Sequence, residues 1–312
     1  MISRRHFAAL AAGAALAAGL PGRAGHAAPP PLIAFAQDHM ANDWRAAQVA
    51  AVARTLAQAG PEVSFVHTDA RGSAAQQVLD IDGLVARGVK VLISSPPDPA
   101  VVTPAIERAH AAGVRVVLLT RRSLGEGFDA FIGPDDEAIA ADAASLLARL
   151  LGGKGRVLVI QGLPGASTTQ GRTHGFDARL ADHPGLELAG VIPGAFLRAG
   201  GIRAIEQALA EGIAFDAVFA HSDSMAVGAR MALRKAGIDP ASLPIVGIDY
   251  IPEAREAIRA GEQAASFTYP TCGAEGAAAA LALLRGEPVA RHTTVPSVLV
   301  TRETVDVVET IF

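Results

Sequence analysis

Residues 90–120 read KVLISSPPDPAVVTPAIERAHAAGVRVVLLT and hold one full unit of the architecture. Lys90–Ser94 is a short apolar run, which reads as a buried strand. Asp98-Pro99 supplies a helix N-cap followed by a proline at the first helical position. The helix that follows runs to Ala112, and Gly113 ends it. Val114–Thr120 is again apolar and predicts the next strand. A strand, a helix and a strand in succession join parallel strands through a crossover.

The same alternation extends in both directions. Upstream lie a strand at Leu32–Ala36 and a helix capped by Asn42 that runs to about Ala59, where Gly60-Pro61 stops it. A strand at Val63–His67 and a helix over Ser73–Ala86 follow. Downstream, helices start at Glu137, Thr168, Gly201, Ser222 and Pro252, and a last one spans Ala274–Leu284. Between them lie strands at Arg156–Gln161, Leu186–Ile192, Ala217–Ala220, Ile245–Asp249 and Ala264–Thr268, with a final strand near Val295–Val300. These runs are apolar throughout rather than alternating, as expected when helices cover both faces of a sheet. Two rounds of four or five units predict an α/β protein with two doubly wound parallel-sheet lobes. A closed eight-fold barrel uses fewer strands than the ten or eleven read here.

The chain has 312 residues, which favours two domains, and 50% of them are apolar, enough to bury a sizeable core. Residues 1–27 carry Arg4, Arg5 and Arg23 and no acid, so the remainder holds 24 basic against 31 acidic residues. That balance argues against a nucleic-acid partner, which wants a basic stripe. The single cysteine, Cys272, excludes an internal disulfide and a cysteine-cluster metal site. The histidines show no paired metal-ligand spacing, and no metal or cofactor is expected.

The charged start at Arg4 and Arg5 leads into an Ala/Leu/Gly run from Phe7 to Leu20, broken by Pro21-Gly22, with small residues around Ala27. This reads as a cleaved secretory signal over residues 1–27. Ser3-Arg4-Arg5-His6-Phe7 resembles the twin-arginine export signal, with an ordinary general-secretion signal as the alternative. No other segment approaches a membrane span. The mature protein is therefore expected to be exported, periplasmic and not membrane-embedded.

In open α/β sheets ligands bind beyond the carboxyl ends of the strands. Residues at those ends are Asn42, Trp44 and Arg45 after the first strand, Ser95 after the third, and Thr120 and Arg121 after the fourth. Gln170 and Arg172 follow the loop that begins at Gly162. Phe196, Ser222, Asp249 and Tyr269 complete the set. Aromatic residues make up only 4% of the chain, so their gathering at strand ends is a signal. Aromatic faces pack on the C–H faces of a sugar, and charged side chains hydrogen-bond its hydroxyls. Trp44 has a second reading as a helix–sheet packing residue.

At these positions the chain resembles the periplasmic sugar-binding proteins of ABC importers. They are the ribose-type group of the periplasmic-binding/Lac-repressor family, and the likeness is nearest to its galactofuranose-binding branch. The segments that carry it are Asp43-Trp44-Arg45-Ala46-Ala47, Leu118-Leu119-Thr120-Arg121, and Gln161-Gly162 with Gly165-Ala166-Ser167 and Arg172…Gly175-Phe176. Ala220-His221-Ser222-Asp223-Ser224-Met225 and Val246-Gly247-Ile248-Asp249…Pro252 complete them. The resemblance implies a type I periplasmic-binding fold, two lobes joined by a three-crossover hinge, a monosaccharide between them, and closure on binding. It implies lobes of 31–134 plus 269–294 and 135–268 plus 295–312, a monomer, and an ABC permease as partner. Trp44 would stack on the sugar with Arg45 beside it. Arg121 and Asp249 would bind hydroxyls from opposite lobes, and Arg172, Phe196, Ser222 and Tyr269 would make further contacts.

Three positions depart from the family pattern. Thr120 stands where an aspartate is usual, Ser222 where an asparagine is usual, and Gln170 where the ribose branch has an arginine. Loss of a carboxylate beside Arg45, Arg121 and Arg172 predicts a more cationic cleft, and so a sugar acid. A neutral pentose or hexose touched by the Thr120 hydroxyl is the alternative.

Other signals are read as structural. His221-Ser222-Asp223 contains the residue types of a catalytic triad, but Ser222 and Asp223 fit a helix cap and first turn. Gly152-Gly153-Lys154-Gly155 precedes a strand and lacks the phosphate-loop pattern, so it is a turn. No G-x-S-x-G elbow is present, which argues against an exported α/β hydrolase. A repressor would need a helix-turn-helix where the export signal stands. A receptor component that presents its ligand to a sensor kinase or chemoreceptor shares the fold and stays open beside transport.

Overall fold

The computed structural model describes residues 29–60 and 62–312. The expected export segment over residues 1–27 and the expected helix stop at Pro61 lie outside the described residues.

Five strands open the chain: β1 (Leu32–Gln37), β2 (Ser64–Asp69), β3 (Val91–Ser94), β4 (Arg115–Leu119) and β5 (Ala130–Gly133). Helices α1 (Asp43–Gln58), α2 (Ala74–Ala86) and α3 (Pro99–Ala111) lie between them. Helix α4 (Asp136–Leu150) leads into β6 (Gly155–Gln161), α5 (Ser167–Leu180), β7 (Leu186–Pro193), α6 (Arg198–Ala210) and β8 (Ala217–Ala220). Then come α7 (Asp223–Lys235), β9 (Ile245–Asp249), α8 (Pro252–Ala260), β10 (Ala265–Thr268), α9 (Gly273–Leu284), β11 (His292–Thr294) and β12 (Leu299–Val300). The strands form two sheets, in the orders β11-β5-β4-β3-β1-β2 and β12-β10-β9-β8-β6-β7. All neighbours run parallel except β12, which lies antiparallel to β10. The chain passes between the sheets after β5, after β10 and after β11.

Strand side chains alternate between faces, and here both faces are apolar. Ile33 and Phe35 of β1 pack with Val49, Val52 and Leu56 of α1 and Leu283 of α9, whereas Ala34 and Ala36 face Ile81 of α2 and Ile106 of α3. In the second sheet Val157 and Val159 meet Leu147 of α4 and Phe176 of α5, and Leu158 and Ile160 meet Ile205 of α6 and Met225 of α7. Each sheet is thus the middle layer of three. The outer strands β2 and β7 are partly exposed and do not follow the apolar-throughout rule.

Two expectations need correction. β5 is absent from the sequence reading, which passed from Thr120 to the helix at Glu137. No helix separates β5 from β4, so βα alternation does not announce it. The single strand expected near Val295–Val300 is two strands in different sheets. Pro296 lies between them and offers no N–H to a ladder. The connecting residues are held from both sides, by Val295 N–H donating to Gly133 O (3.1 Å) and Val298 N–H donating to Thr268 Oγ1 (2.8 Å).

Helices α6 and α7 approach closely enough to exclude side chains. A Cβ at Gly228 would lie 2.1 Å from the Arg198 carbonyl oxygen, and one at Gly201 would lie 2.1 Å from that of Met225. Gly228→Ala is therefore expected to cost about 1–3 kcal/mol by overpacking. Equilibrium denaturation checks this as a lower midpoint at unchanged slope. An unchanged midpoint would mean that the helices part without penalty.

Candidate functional site

The carboxyl ends of both parallel sheets face one cleft, so the loops after their strands meet there. Asn42 shows how the local sequence sets this up. Its side-chain oxygen accepts from Trp44 N–H (2.8 Å) and caps α1, while its amide donates across the cleft to Phe196 O (2.7 Å). The same cap orients Trp44 and Arg45 in the first turn of α1. The lobes touch again where Arg122 N–H donates to Ser167 Oγ (2.9 Å).

A chamber of about 360 Å³ of atom-free space, its mouth included, lies between the lobes. From the first lobe it is lined by His39, Asn42, Trp44, Arg45 and Arg121. From the second it is lined by Thr168, Arg172, Phe196, Ser222 and Asp249, with Tyr269 at the second crossing. Trp44 is 5% exposed and belongs to the packed cluster around Tyr269 as well as to the chamber wall. Its indole N–H donates to Tyr269 O (2.9 Å). The two readings of Trp44 therefore describe two faces of one side chain.

Each of the three arginines sits against a carboxylate. Arg121 donates to Asp38 Oδ2 at 2.6 Å, Arg45 Nε lies 3.5 Å from Asp38 Oδ1, and Arg172 Nε donates to Asp136 Oδ1 at 2.8 Å. Arg172 also donates to His221 O. The Tyr269 hydroxyl donates to the second oxygen of Asp136 at 3.2 Å. Guanidinium groups lie near aromatic rings as well, Arg45 at 4.9 Å from the Trp44 centroid and Arg172 at 4.4 Å from that of Tyr269.

Burial and charge set the protonation states. Burial alone would lift the Asp38 carboxyl, but Arg121, Arg45 and His39 outweigh it and hold Asp38 at about 2. Burial, with Arg121 nearby, pushes Arg45 down to about 10, so it stays charged at neutral pH. Asp249 is raised well above the carboxylate range by burial, which the nearby Arg172 only partly opposes. Its carboxylate accepts no side-chain hydrogen bond among the described residues. His221 is held well below its usual value by burial and by Arg172, and is neutral.

Three expected site residues fall outside the chamber. Ser95 is fully buried behind Arg45, whose Nη1 donates to its Oγ at 2.8 Å. Thr120 takes a left-handed backbone (φ 59°) and turns its hydroxyl onto Leu119 O at 2.7 Å. With Gln170 it borders a separate cavity beside Asp135 and Glu137. Gln170 lies two residues before Arg172 on α5, and so about half a turn away from it.

Four residues at or behind the chamber were missed. Asp38 and His39 directly follow β1, ahead of the strand-end residues expected from Asn42 on. Thr168 precedes Arg172 by four residues and shares its helix face, a spacing that reveals it. Asp136 opens α4 and has no signal of its own until Arg172 is placed. Asp38 and Asp136 place carboxylates against Arg45, Arg121 and Arg172, so the guanidinium groups are paired without an acid at Thr120.

The His221-Ser222-Asp223 run is structural. Ser222 Oγ accepts from Met225 N–H (3.3 Å) as the cap of α7. Asp223 accepts from Tyr250 N–H (2.7 Å), Ser266 Oγ (2.5 Å) and Gln263 Nε2 (2.7 Å). Burial, against these donors, raises its carboxyl to about 6. Neither ring nitrogen of His221 has a partner among the described residues, so nothing couples imidazole to hydroxyl. Cys272 is buried at the start of α9, and its thiol donates to Pro270 O (3.4 Å). Among the described residues no cluster of His, Cys, Asp and Glu fits a metal ion.

Residues 33–288 match the family model described as a periplasmic binding protein domain. The ribose import binding protein of Salmonella typhimurium is 30% identical over 228 residues, covering 72% of this chain and 76% of that protein. The fructose-binding periplasmic domain of a hybrid two-component system superposes with a TM-score of 0.84 at 28% identity, covering 89% of this chain and 92% of that one. A galactofuranose-binding protein superposes with a TM-score of 0.84 at 25% identity, covering 89% and 96%.

Proposed function

The chain belongs to the periplasmic binding protein domain family, and from that premise we propose that it captures a monosaccharide between its lobes and delivers it to an ABC import permease. The observation that carries this reading is the chamber itself. Guanidinium–carboxylate pairs alternate with the Trp44, Tyr269 and Phe196 rings at the meeting of two sets of strand ends. A sugar ring offers hydroxyls that both donate and accept at its edge and C–H groups on its faces. Arg45, Arg121 and Arg172 supply donors, Asp249 supplies an acceptor, and the rings pack on the faces. Ser222 and Asn42 border the same space.

Each of the three guanidinium groups already has a carboxylate partner in Asp38 or Asp136, which favours a neutral sugar over a sugar acid. Asp249 gives the proposed binding its selectivity. A buried carboxyl with no side-chain donor among the described residues gains most from a ligand hydroxyl. In this reading the Asn42–Phe196 and Arg122–Ser167 bonds hold the lobes closed, as in hinge motions of this class. No covalent chemistry is assigned: Ser222 and Asp223 are engaged in capping and core contacts, and Cys272 is held raised to a very weak acid by burial.

In this reading the mature protein is periplasmic and monomeric, with lobes of 31–134 plus 269–294 and 135–268 plus 295–312. A second reading, presentation of the sugar to a sensor kinase, is favoured by the likeness to the fructose-binding domain of a two-component system.

Thermal-shift screening of residues 28–312 tests the proposal. A ligand that binds only the folded state raises the melting point by mass action. Neutral monosaccharides are expected to raise it by several degrees with no product formed, and their acid forms by less. A larger rise with sugar acids overturns the charge argument, and no rise with any carbohydrate overturns the sugar reading.

A further inference from the structure

The chamber does not stand alone. A second cavity of about 830 Å³ of atom-free space, its mouth included, adjoins it and shares His39, Arg121 and Phe196 with it. Its walls are apolar from both lobes: Met40 from the first, Leu163 and Leu197 from the second. Exposed Asp69 and Arg71 stand at its edge. Phe196 is the partition between the two spaces. It and Ala195 take left-handed backbone (φ 61° and 55°), an arrangement that persists only where the surroundings impose it. Its ring lies over Gly162, where a Cβ would come within 2.0 Å of a ring carbon.

Two polar atoms of the residues shared by the cavities lack a partner among the described residues. Arg121 Nε, on a side chain that is 1% exposed, and His39 Nδ1 have no hydrogen-bond partner among the described residues. Arg121 Nε is a donor only, and it suits an oxygen that only accepts. The link oxygen of a glycoside is such an oxygen, and the group it carries would enter the apolar space next door.

We propose that the two cavities form one site, and that the ligand is a glycoside whose sugar ring occupies the chamber and whose O-linked alkyl or aryl group lies between Met40, Leu163 and Leu197. This rests on the reading of the chamber as a sugar site. Apolar contact in the second cavity then adds to affinity in proportion to the area buried, about tenfold for a phenyl group.

The test is calorimetry of the mature chain with D-ribose, D-galactose and L-arabinose, each as the free sugar and as its methyl and phenyl glycosides in both anomers. For at least one sugar, a phenyl glycoside is expected to bind about tenfold tighter than the free form. Leu163→Trp, which fills the second cavity from outside the chamber, is expected to abolish that gain and leave free-sugar affinity unchanged. Free sugars that bind while every phenyl glycoside binds more weakly overturn the proposal and leave the sugar reading standing. A phenyl gain untouched by Leu163→Trp overturns the assigned location. If neither free sugars nor glycosides bind, the sugar reading falls and the proposal with it.

Discussion

Asp249→Asn is expected to lower sugar affinity about 100-fold or more while leaving the ligand-free protein at least as stable as before. The loss follows from two charge-assisted hydrogen bonds to hydroxyls, each worth about 1.5–3 kcal/mol. The stability follows from burial. Asp249 has no side-chain donor among the described residues, and its carboxyl is raised well above the ordinary range. A group whose folded value is raised stabilises fully only below its unfolded value near 3.8, and that contribution is lost as pH rises through the folded value. The ligand-free wild type therefore carries a penalty at neutral pH that the amide lacks. Calorimetry measures the affinity, and melting of the ligand-free proteins from pH 4 to pH 8 measures the rest. The melting-point gap in favour of the variant should widen as pH rises. A destabilised variant with unchanged affinity would make Asp249 a structural residue.

Asp38→Ala is expected to be the most destabilising single change at the site, at about 3–5 kcal/mol. It strips the anion from beneath two buried guanidinium groups, Arg121 and Arg45, and leaves them uncompensated. Adding Arg121→Met should recover part of the loss, because an apolar side chain of similar length needs no partner. The pH dependence runs opposite to that of Asp249. Asp38 is held at about 2 against an ordinary 3.8, so its contribution is present above 3.8 and lost as pH falls toward 2. The stability difference between wild type and Asp38→Ala should shrink over that range in urea unfolding. A constant difference would show that the carboxylate is not what holds the arginines.

Much of this was legible because βα alternation declares itself locally. Caps at Asn42, Ser73 and Asp98 and the apolar runs behind them define elements without reference to anything distant. The rule that ligands meet strand ends then reached Trp44, Arg45, Arg121, Arg172, Phe196, Ser222, Asp249 and Tyr269, all of which line one chamber. What escaped depends on contacts remote in the chain. β5 follows β4 with no helix to announce it, and β11 is three residues long and pairs with β5 from the far end of the chain. Asp136 acquires its part only from Arg172, 36 residues on. Thr120 turned aside because its backbone is left-handed, which a threonine does not advertise. The charge around the site has the same character: the missing acid at Thr120 is visible in the pattern, whereas Asp38, which pairs with Arg121 and Arg45, stands one residue past β1.

The passage of the chain between the sheets also governs the order in which the molecule can be completed. Sheet one waits for α9 and β11, and sheet two for β12, although most of each is encoded far earlier. During synthesis neither lobe can finish its core until residues near 300 have been added. The nascent chain therefore carries an incomplete first sheet from its early strands on, joined by an incomplete second sheet from β6, each showing an open edge. Residues 273–300 act as the closing stitches of both halves at once, so the lobes mature together rather than in sequence.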